Sequence, residues 1–203
     1  MKSTLLLSLT MLAVVCGTAR ANLITNGSFE NGTLGIGSFQ GWQTNLGDIS
    51  TFVDSNGVTG TLYGDATDGI WSAFFGSTAA DGGASISQNF TTTANREYVL
   101  SFDLANDNGG QAPSNSFVVS VAGAPVLTFS DLGDRNYVRE QVSFVASGSS
   151  TSLEFSGFND QSYFDLDNVV VASATPEPSA FALMAGGIFL LYAVLRKGVT
   201  AAR

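Results

Sequence analysis

The feature that most constrains the fold is an alternation of apolar and polar side chains that recurs through residues 22–175. In the run Tyr98–Leu104, for example, every second residue is apolar, and Ser101 and Asp103 fill positions between them. Successive side chains of a β-strand point to opposite faces, so this two-residue period gives a strand one apolar face. No stretch of the region carries the 3.6-residue apolar spacing of an amphipathic helix. We therefore predict an all-β domain.

The apolar runs are short, and clusters of Gly, Asn, Asp and Ser separate them. This arrangement is typical of antiparallel strands joined by turns. About ten strands are expected by these signals, near residues 22–26, 49–53, 69–75, 84–90, 97–104, 115–121, 126–129, 138–146, 151–157 and 162–172. The pattern favours two antiparallel sheets packed face to face, in a sandwich of the jelly-roll type.

The N-terminal end has the three parts of a secretory signal peptide. Lys2 supplies positive charge, residues 5–15 are mainly apolar, and residues 19–21 read Ala-Arg-Ala, a small-x-small cleavage site. We predict that residues 1–21 are removed on export through the Sec pathway and that Asn22 begins the mature chain.

The C-terminal end, residues 175–203, contains a second apolar segment. The motif Pro176-Glu177-Pro178 precedes the 17 residues 179–195, which carry no charge, and Arg196-Lys197 follow them. A helix of that length reaches about 25 Å, at the short end for a bilayer, and the basic pair would face the cytoplasm. We predict a single transmembrane helix at 179–195. An ordinary C-terminal anchor and a buried helix are the alternatives.

The order of Pro-Glu-Pro, short apolar helix and basic residues closely resembles the PEP-CTERM protein-sorting domain. The resemblance implies recognition by exosortase, a membrane protease-transpeptidase, with an intermediate anchored in the inner membrane of a Gram-negative bacterium. It further implies that the domain 22–174 passes from there to the cell surface or to the extracellular matrix of a biofilm. The residues of the sorting motif are Pro176, Glu177, Pro178, Arg196 and Lys197.

The composition between the two ends excludes most forms of catalysis. Residues 22–175 contain no His, Lys or Cys, and three arginines stand against sixteen acidic residues, a formal net charge of −13. Ser-His-Asp and Cys-His catalysis need an imidazole, zinc sites are built mainly from His and Cys, and Schiff bases and P-loops need Lys. A surface of this charge also repels nucleic acid. Of these forms of catalysis, only those that use Asp and Glu carboxylates remain.

Several segments resemble galactose-binding-like jelly rolls, which include a number of carbohydrate-binding modules. Residues 22–30, which read Asn-Leu-Ile-Thr-Asn-Gly-Ser-Phe-Glu, and the following Gly41-Trp42 resemble the opening of that fold. Residues 163–171 resemble its closing strand, and the segments 85–90 and 98–103 follow the same order of strands. The resemblance implies a jelly roll over most of 22–171, but a fold does not determine a ligand.

Many members of that superfamily hold a structural calcium ion where the first and last strands lie close together. By resemblance, Glu30 and Asp167 are the expected side-chain ligands, and carboxylates are among the hard oxygen donors that calcium takes. The alternative is that both carboxylates are solvated or paired with arginines. The cluster Asn106–Gly110 lacks the spacing of an EF-hand, and we predict a flexible polar loop there.

Aromatic residues are the candidates for sugar contact, because carbohydrate-binding modules stack aromatic rings on pyranose faces. The candidates are Trp42, Trp71, Phe74, Phe75 and Tyr63. The Gly-Trp pair at 41–42 is usually core in such folds, and residues 70–75 can form one strand buried on both faces. Tyr63 and Trp71 are preferred, since they lie in or directly after the Gly- and Asp-rich stretch 54–69.

Three functions remain open at this point. The first is an exported, non-catalytic β-sandwich that associates with exopolysaccharide or a cell-surface glycan, and the second is a purely structural surface protein without a glycan ligand. The third is a glycoside hydrolase, with Asp65 and Asp68, or Asp165 and Asp167, as its two carboxylates. Carboxylates two or three residues apart on one strand or turn seldom flank a scissile bond, so the third function is disfavoured.

Overall fold

The computed structural model describes residues 21–31, 35–36, 40–45, 52–55 and 66–174, with 35–36 and 52–55 described as backbone only. Tyr63, Asp65, the predicted signal peptide up to residue 20 and the predicted sorting segment 175–203 lie outside these ranges. Within the described ranges, no helix is long and apolar enough to cross a membrane.

The described residues form two antiparallel sheets. The strands are β1 (Gly35–Ile36), β2 (Gln43–Asn45), β3 (Phe52–Ser55), β4 (Trp71–Phe75), β5 (Ala84–Thr91), β6 (Glu97–Asp107), β7 (Asn115–Val121), β8 (Ala124–Ser130), β9 (Arg135–Val145), β10 (Ser150–Asn159) and β11 (Tyr163–Ser173). The six-stranded sheet has the order β1-β3-β4-β11-β6-β9, and the five-stranded sheet has the order β2-β5-β10-β7-β8. The predicted all-β sandwich of antiparallel sheets is confirmed.

The strands predicted from residue 69 onward all form, as β4 to β11. The strand predicted at 22–26 does not form, although Leu23 N donates to Val171 O of β11 at 2.8 Å. Here the Asn22 side chain donates to Val169 O (2.8 Å) and accepts from Val171 N (3.0 Å). A side-chain amide thus takes the place of a backbone ladder where the chain enters the domain.

The core between the sheets is rich in phenylalanine. Phe117 of β7 lies against Phe75 of β4 and Phe164 of β11, with ring centroids 5.2 and 5.1 Å apart. Phe102 of β6 meets Phe155 of β10 at 5.2 Å. All five rings are fully buried. Aromatic pairs of this kind contribute about 0.5–1.5 kcal/mol each beyond the burial of their area, so they help to set how the two sheets face one another.

The segment that precedes β1 packs against the core through its contact with Trp42, which lies between β1 and β2. The Trp42 ring is buried, as expected of the Gly-Trp pair, and stacks on Phe29 with centroids 5.8 Å apart. Its Nε1 donates to Asn26 O at 3.1 Å. Asn26 and Phe29 have φ angles of 53° and 60°, a left-handed conformation that costs energy for a residue with a side chain. This turn brings Glu30 to the start of β4.

The sandwich has two unlike ends. The loops 76–83, 108–114, 131–134 and 160–162 lie at one end, which we call the loop end; Asn159 N donates to Ser77 O and Asp160 N to Ser114 O there. Strand β11 runs from the loop end to the opposite end, the terminal end. Leu23 and Ala174 lie at the terminal end, where they pair with Val171 and Glu97.

Buried asparagines tie the loops of the loop end together. The Leu132 carbonyl oxygen accepts from the Nδ2 atoms of Asn106 (2.8 Å), Asn108 (2.9 Å) and Asn115 (2.9 Å). Asn159 Nδ2 in turn donates to Asn106 Oδ1 at 3.0 Å. All four asparagine side chains are buried. Because buried amides must find partners, this network fixes the positions of the loops.

The prediction of a flexible polar loop at Asn106–Gly110 is wrong for its first three residues. Asn106 and Asp107 belong to β6, and Asn108 is 1% exposed, with its amide N donating to Asp134 Oδ1 at 2.6 Å. The polar composition of this run reflects a buried hydrogen-bond network, which composition alone does not distinguish from a solvated loop.

Candidate functional site

Glu30 and Asp167 both bind the backbone of one short segment, Thr67–Trp71, which leads into β4. Glu30 Oε1 accepts from Ile70 N at 2.8 Å and from Trp71 N at 2.7 Å. Gly69 has a φ of +85°, and a Cβ there would lie 2.2 Å from Glu30 Cδ. Glycine is favoured at this position, because a side chain would be strained by the left-handed backbone and would displace the Glu30 carboxylate.

Asp167 approaches the same segment from strand β11, where it is fully buried. Its Oδ2 accepts from Thr67 N (2.6 Å), Asp68 N (2.9 Å) and Thr67 Oγ1 (3.0 Å), and its Oδ1 accepts from Asn168 N (2.6 Å). Burial raises the pKa of Asp167 to about 6, although the hydrogen bonds from Asp68, Asn168 and Thr67 act in the opposite direction. The domain thus carries a carboxyl group that titrates near neutral pH.

The structure therefore brings the two predicted calcium ligands to one segment. Among the described residues the salt bridges join Arg135 to Glu140 and Arg139 to Asp103, so the alternative of pairing with arginines does not describe Glu30 or Asp167. The chemistry of the donor set suits calcium, which takes carboxylate and backbone carbonyl oxygens. The described residues contain no group of three or more acidic side chains placed to hold a metal ion. Backbone carbonyls would have to complete its coordination shell.

Two further aspartates surround Asp167 on the outer face of the six-stranded sheet. Asp103 of β6 lies directly opposite Asp167 in the strand register, and its Oδ2 accepts from Thr67 Oγ1 at 2.7 Å. Asp165 lies two residues before Asp167 on the same face, and both are buried. Arg139 Nη1 offsets part of this negative charge at 3.2 Å from Asp103 Oδ1.

The buried acids also affect a tyrosine on the neighbouring strand. Burial first, and then the negative charge of Asp165, raises the pKa of Tyr137 on β9 far above its ordinary value. A hydrogen bond with Ser72 acts in the opposite direction. The Tyr137 hydroxyl is therefore neutral at physiological pH.

The aromatic candidates from the sequence occupy mostly buried positions. Phe74 and Phe75 are buried in β4, as expected for a strand covered on both faces. Trp71 is partly buried and packs against the core, with its backbone N bound by Glu30. Tyr63 lies outside the described residues. Sugar contact by Tyr63 and Trp71 stays a prediction.

A partly exposed aromatic residue that the sequence analysis did not single out lies at the loop end. Tyr163, the first residue of β11, meets Phe74 edge to face with ring centroids 5.9 Å apart. The alternating pattern of the last strand assigned Tyr163 to the apolar run and concealed it. Tyr163 could have been found from its position directly after the polar run 159–162, because such a run predicts a loop just before the strand.

Tyr163 forms one side of a pocket of about 320 Å³, which we call the loop-end pocket. Its lining residues are Gly76, Thr78, Asn159, Asp160, Gln161, Ser162 and Tyr163. Asp160 secures two of its neighbours by accepting from Ala79 N (2.7 Å) and Ser114 Oγ (2.8 Å). Asn159 Oδ1 accepts from Gln161 N and Ser162 N, both at 3.1 Å. Hydrogen bonds thus hold the pocket in shape without a ligand.

The carboxylate pairs that could support hydrolysis are poorly placed for it. Asp165 and Asp167 project from one strand to the same face and are both buried, whereas a glycosidase needs its two carboxylates on either side of a bound sugar. Asp68 is exposed, and its proposed partner Asp65 lies outside the described residues.

The fold defines the class of this protein as a jelly-roll sandwich like that of carbohydrate-binding modules. TmCBM61, solved in complex with β-1,4-galactotriose, has a TM-score of 0.56 at 12% identity, over 75% of this chain and 99% of that one. The enzymatically active domain of tailspike protein 4 from bacteriophage CBA120 has a TM-score of 0.52 at 13% identity, over 75% of this chain and 21% of that one. Such similarity confirms the predicted jelly roll and leaves the ligand open.

Within that class, the chain belongs to the DUF642 family, described as a protein of unknown function, whose sequence profile matches residues 22–171. A search of curated proteins finds no match.

Proposed function

We propose that this protein is an exported, non-catalytic glycan-binding module that holds a neutral sugar in the loop-end pocket. The observation that carries the proposal is that the partly exposed Tyr163 lines a pocket together with Thr78, Gln161 and Ser162, on loops that are already fixed by hydrogen bonds. A pyranose has an apolar face that packs on an aromatic ring and a rim of hydroxyls that need donors and acceptors.

The size of the pocket agrees with a ligand of this kind. Its volume of about 320 Å³ is at the lower end of the 300–1,000 Å³ range of small-molecule sites. The pocket is thus large enough for a small polar ligand and too small for a folded protein segment. Because Phe74 supports the Tyr163 ring from its edge, little conformational freedom is lost on binding.

Charge favours a neutral glycan over an acidic one. The region 22–175 has a formal charge of −13, and the one charged residue that lines the pocket is Asp160. Uronic acids and sulfated sugars would be repelled at long range, whereas neutral hydroxyls can donate hydrogen bonds to carboxylate and carbonyl oxygens.

Affinity electrophoresis of the full chain in gels that contain β-1,4-galactan, xylan, β-glucan or alginate tests the proposal. We expect at least one neutral polysaccharide to retard the protein and alginate to leave its mobility unchanged. Tyr163→Ala should weaken the retardation at least tenfold, and Tyr163→Phe should retain most of it. Equal mobility in every gel would contradict glycan binding and favour the purely structural alternative.

Sorting by exosortase and association with exopolysaccharide are the second part of the proposal. It is supported by the Pro176-Glu177-Pro178 motif, the apolar residues 179–195 and the following Arg196-Lys197. Mass spectrometry of the protein from its native cells tests it. We expect one terminus at Asn22 and the other near the motif, and an intact chain in the cytoplasm would contradict sorting.

We also propose that Glu30 and Asp167 hold a structural calcium ion. Bound calcium would neutralise two carboxylates beside the Thr67–Trp71 segment and would stabilise the folded state by mass action. The melting temperature of the full chain should be several degrees higher in 5 mM CaCl₂ than in EDTA, and Glu30→Gln should abolish this difference. Equal melting temperatures in the two solutions would refute the site, and MgCl₂ is the control for a general effect of ionic strength.

A further inference from the structure

The outer face of the five-stranded sheet carries ordered rows of small polar side chains. Strand pairing places Ser156 of β10 opposite Ser85 of β5 and Val118 of β7. In the next row Glu154 lies opposite Ser87 and Ser120. The side chains that alternate with these rows, such as Phe155 and Ile86, are fully buried in the core. Apart from Val118, the side chains of these two rows are therefore polar across three adjacent strands.

A groove of about 220 Å³ crosses this face, and we call it the sheet groove. It is lined by Asn45, Gly82, Gly83, Ala84, Ser85, Ser116, Val118, Glu154, Ser156, Gly157 and Phe158. Close backbone contacts leave no room for larger side chains at two glycines of the groove. A Cβ at Gly157 would lie 2.7 Å from Ser116 O, and one at Gly83 would lie 2.8 Å from Gly157 O. Backbone at Gly83 and Gly157 therefore forms part of the groove wall, where no larger side chain fits.

The sheet groove and the loop-end pocket are lined by the same two segments of the chain. Gly82 and Gly83 line the groove while Gly76 and Thr78 line the pocket, and all four belong to the stretch 76–83. In β10, Phe158 lines the groove and the next residue, Asn159, lines the pocket. The two sites therefore adjoin each other near the loop end.

We propose that the sheet groove and the loop-end pocket together bind one extended strand of a neutral polysaccharide, with Glu154 as the groove's main hydrogen-bond acceptor for sugar hydroxyls. This inference rests on the proposed function and adds the length and charge of the ligand. The groove alone is smaller than the 300–1,000 Å³ sites that enclose small molecules, so it suits a chain held from one side. Serine hydroxyls both donate and accept hydrogen bonds, as sugar hydroxyls do.

The charge of the groove determines the class of glycan. Glu154 is the one charged residue in its lining, and the lining contains no Arg or Lys. An anionic polysaccharide would meet a like charge with no cation to offset it, whereas a neutral chain can donate hydroxyl hydrogens to the Glu154 carboxylate.

The test uses the full chain and oligosaccharides of one to eight sugar units, prepared from the neutral polysaccharide that retards the protein most in the affinity gels. Isothermal titration calorimetry should show affinity that rises at least tenfold between the shortest and longest ligands that bind. Glu154→Gln, and Ser156→Tyr, which fills the groove, should each weaken binding of the longest ligand at least fivefold. Neither should change the affinity for the shortest. Glu97→Gln, an exposed carboxylate at the terminal end, is the matched control.

The outcomes separate this inference from the proposed function. If affinity is constant with length and both groove variants bind like the wild type, while Tyr163→Ala still abolishes binding, the pocket acts alone and the inference is overturned. If no neutral glycan binds, the proposed function fails and the inference fails with it. Melting temperatures of the two groove variants within about two degrees of the wild type would show that an altered fold does not cause their effect.

Discussion

At the scale of single residues, the strongest constraint lies where a glycine meets a carboxylate. A side chain at Gly69 would displace the Glu30 carboxylate, and Glu30 in turn binds the two amides that follow Gly69. The carboxylate and the glycine therefore depend on each other. Substituting either residue is expected to loosen the Thr67–Trp71 segment, which leads into β4.

Gly69→Ala should destabilise the domain by about 2 kcal/mol or more, since left-handed backbone strain and a clash with Glu30 add together. Gly110→Ala is the matched control, because Gly110 has a φ of +74° with nothing within 4 Å of its Cβ position. It should cost only about 1 kcal/mol, from backbone strain alone. Urea unfolding measures both variants. Equal costs would show that the Glu30 contact contributes nothing.

Asp167 should make stability depend on pH near neutrality. Its folded-state pKa of about 6 lies above the ordinary value of 3.8, so the folded state binds a proton more readily than the unfolded state between these values. Stability contributed through Asp167 therefore rises as pH falls from about 7 to about 4.

Unfolding free energies of the wild type and Asp167→Asn, measured in EDTA at pH 7 and pH 4.5, test this expectation. The wild type should gain about 2 kcal/mol relative to the variant at the lower pH. Taking the difference between the two proteins cancels the titration of the other carboxylates. A difference that does not change with pH would show that the pKa of Asp167 is not raised.

At the scale of elements, the loops of the loop end depend on β6 as much as on their own residues. Asn108 accepts from Asn115 Nδ2 at 2.9 Å and from Asn106 Nδ2 at 3.1 Å, and it donates to Leu132 O. Three loops therefore meet at side chains that extend from, or directly follow, the strands. The shape of the loop-end pocket depends on this network, because Asn159 is a member of both.

Asn108→Ala should cost about 2–3 kcal/mol of unfolding free energy, because it leaves buried amides without one of their partners. Asn89→Ala removes the same side chain from an exposed position on β5 and should stay within about 0.5 kcal/mol of the wild type. Chemical denaturation distinguishes the two variants. A small effect at Asn108 would mean that water replaces the lost partner at no cost.

Local apolar patterns were sufficient to predict β4 to β11, because most of these strands show several alternations and β4 is a short run that is buried on both faces. They could not predict β1 and β2, which have two and three residues. They placed a strand at 22–26, where the side chain of Asn22 forms hydrogen bonds to β11 in place of a backbone ladder. Only the resemblance to known jelly rolls brought Glu30 and Asp167 together, since 137 positions separate them and no local pattern connects them.

Tyr163 shows why the site was harder to predict than the fold. Its sequence neighbours make it one more apolar position of the last strand, and only the strand's end at the loop end exposes its ring. Asn106 and Asn108 show the opposite error. Their polar run predicts a solvated loop, but both side chains are buried. In both cases the outcome depended on tertiary contacts that a single sequence does not contain.

At the scale of the whole molecule, the outer faces of the two sheets differ in the polar side chains that they carry and in how far these are buried. The six-stranded sheet carries the buried acids Asp103, Asp165 and Asp167 on its outer face, whereas the groove on the outer face of the five-stranded sheet is lined mainly by small and polar residues, with Glu154 as its one charged side chain. The first face is covered by the Thr67–Trp71 segment and held by hydrogen bonds. The second is open. The groove part of the proposed binding site therefore lies on the face with the more accessible polar side chains.

The distance between the loop end and the terminal end determines which part of the domain faces away from an attached support. Strand β11 runs from Tyr163 in the pocket to Ser173 beside the exit of the chain, a span of roughly 33 Å at about 3.3 Å per residue. Any support joined after Ala174 would leave the pocket facing away from it, at the far side of the module. A dye or a surface linker placed there should report on binding without obstructing it.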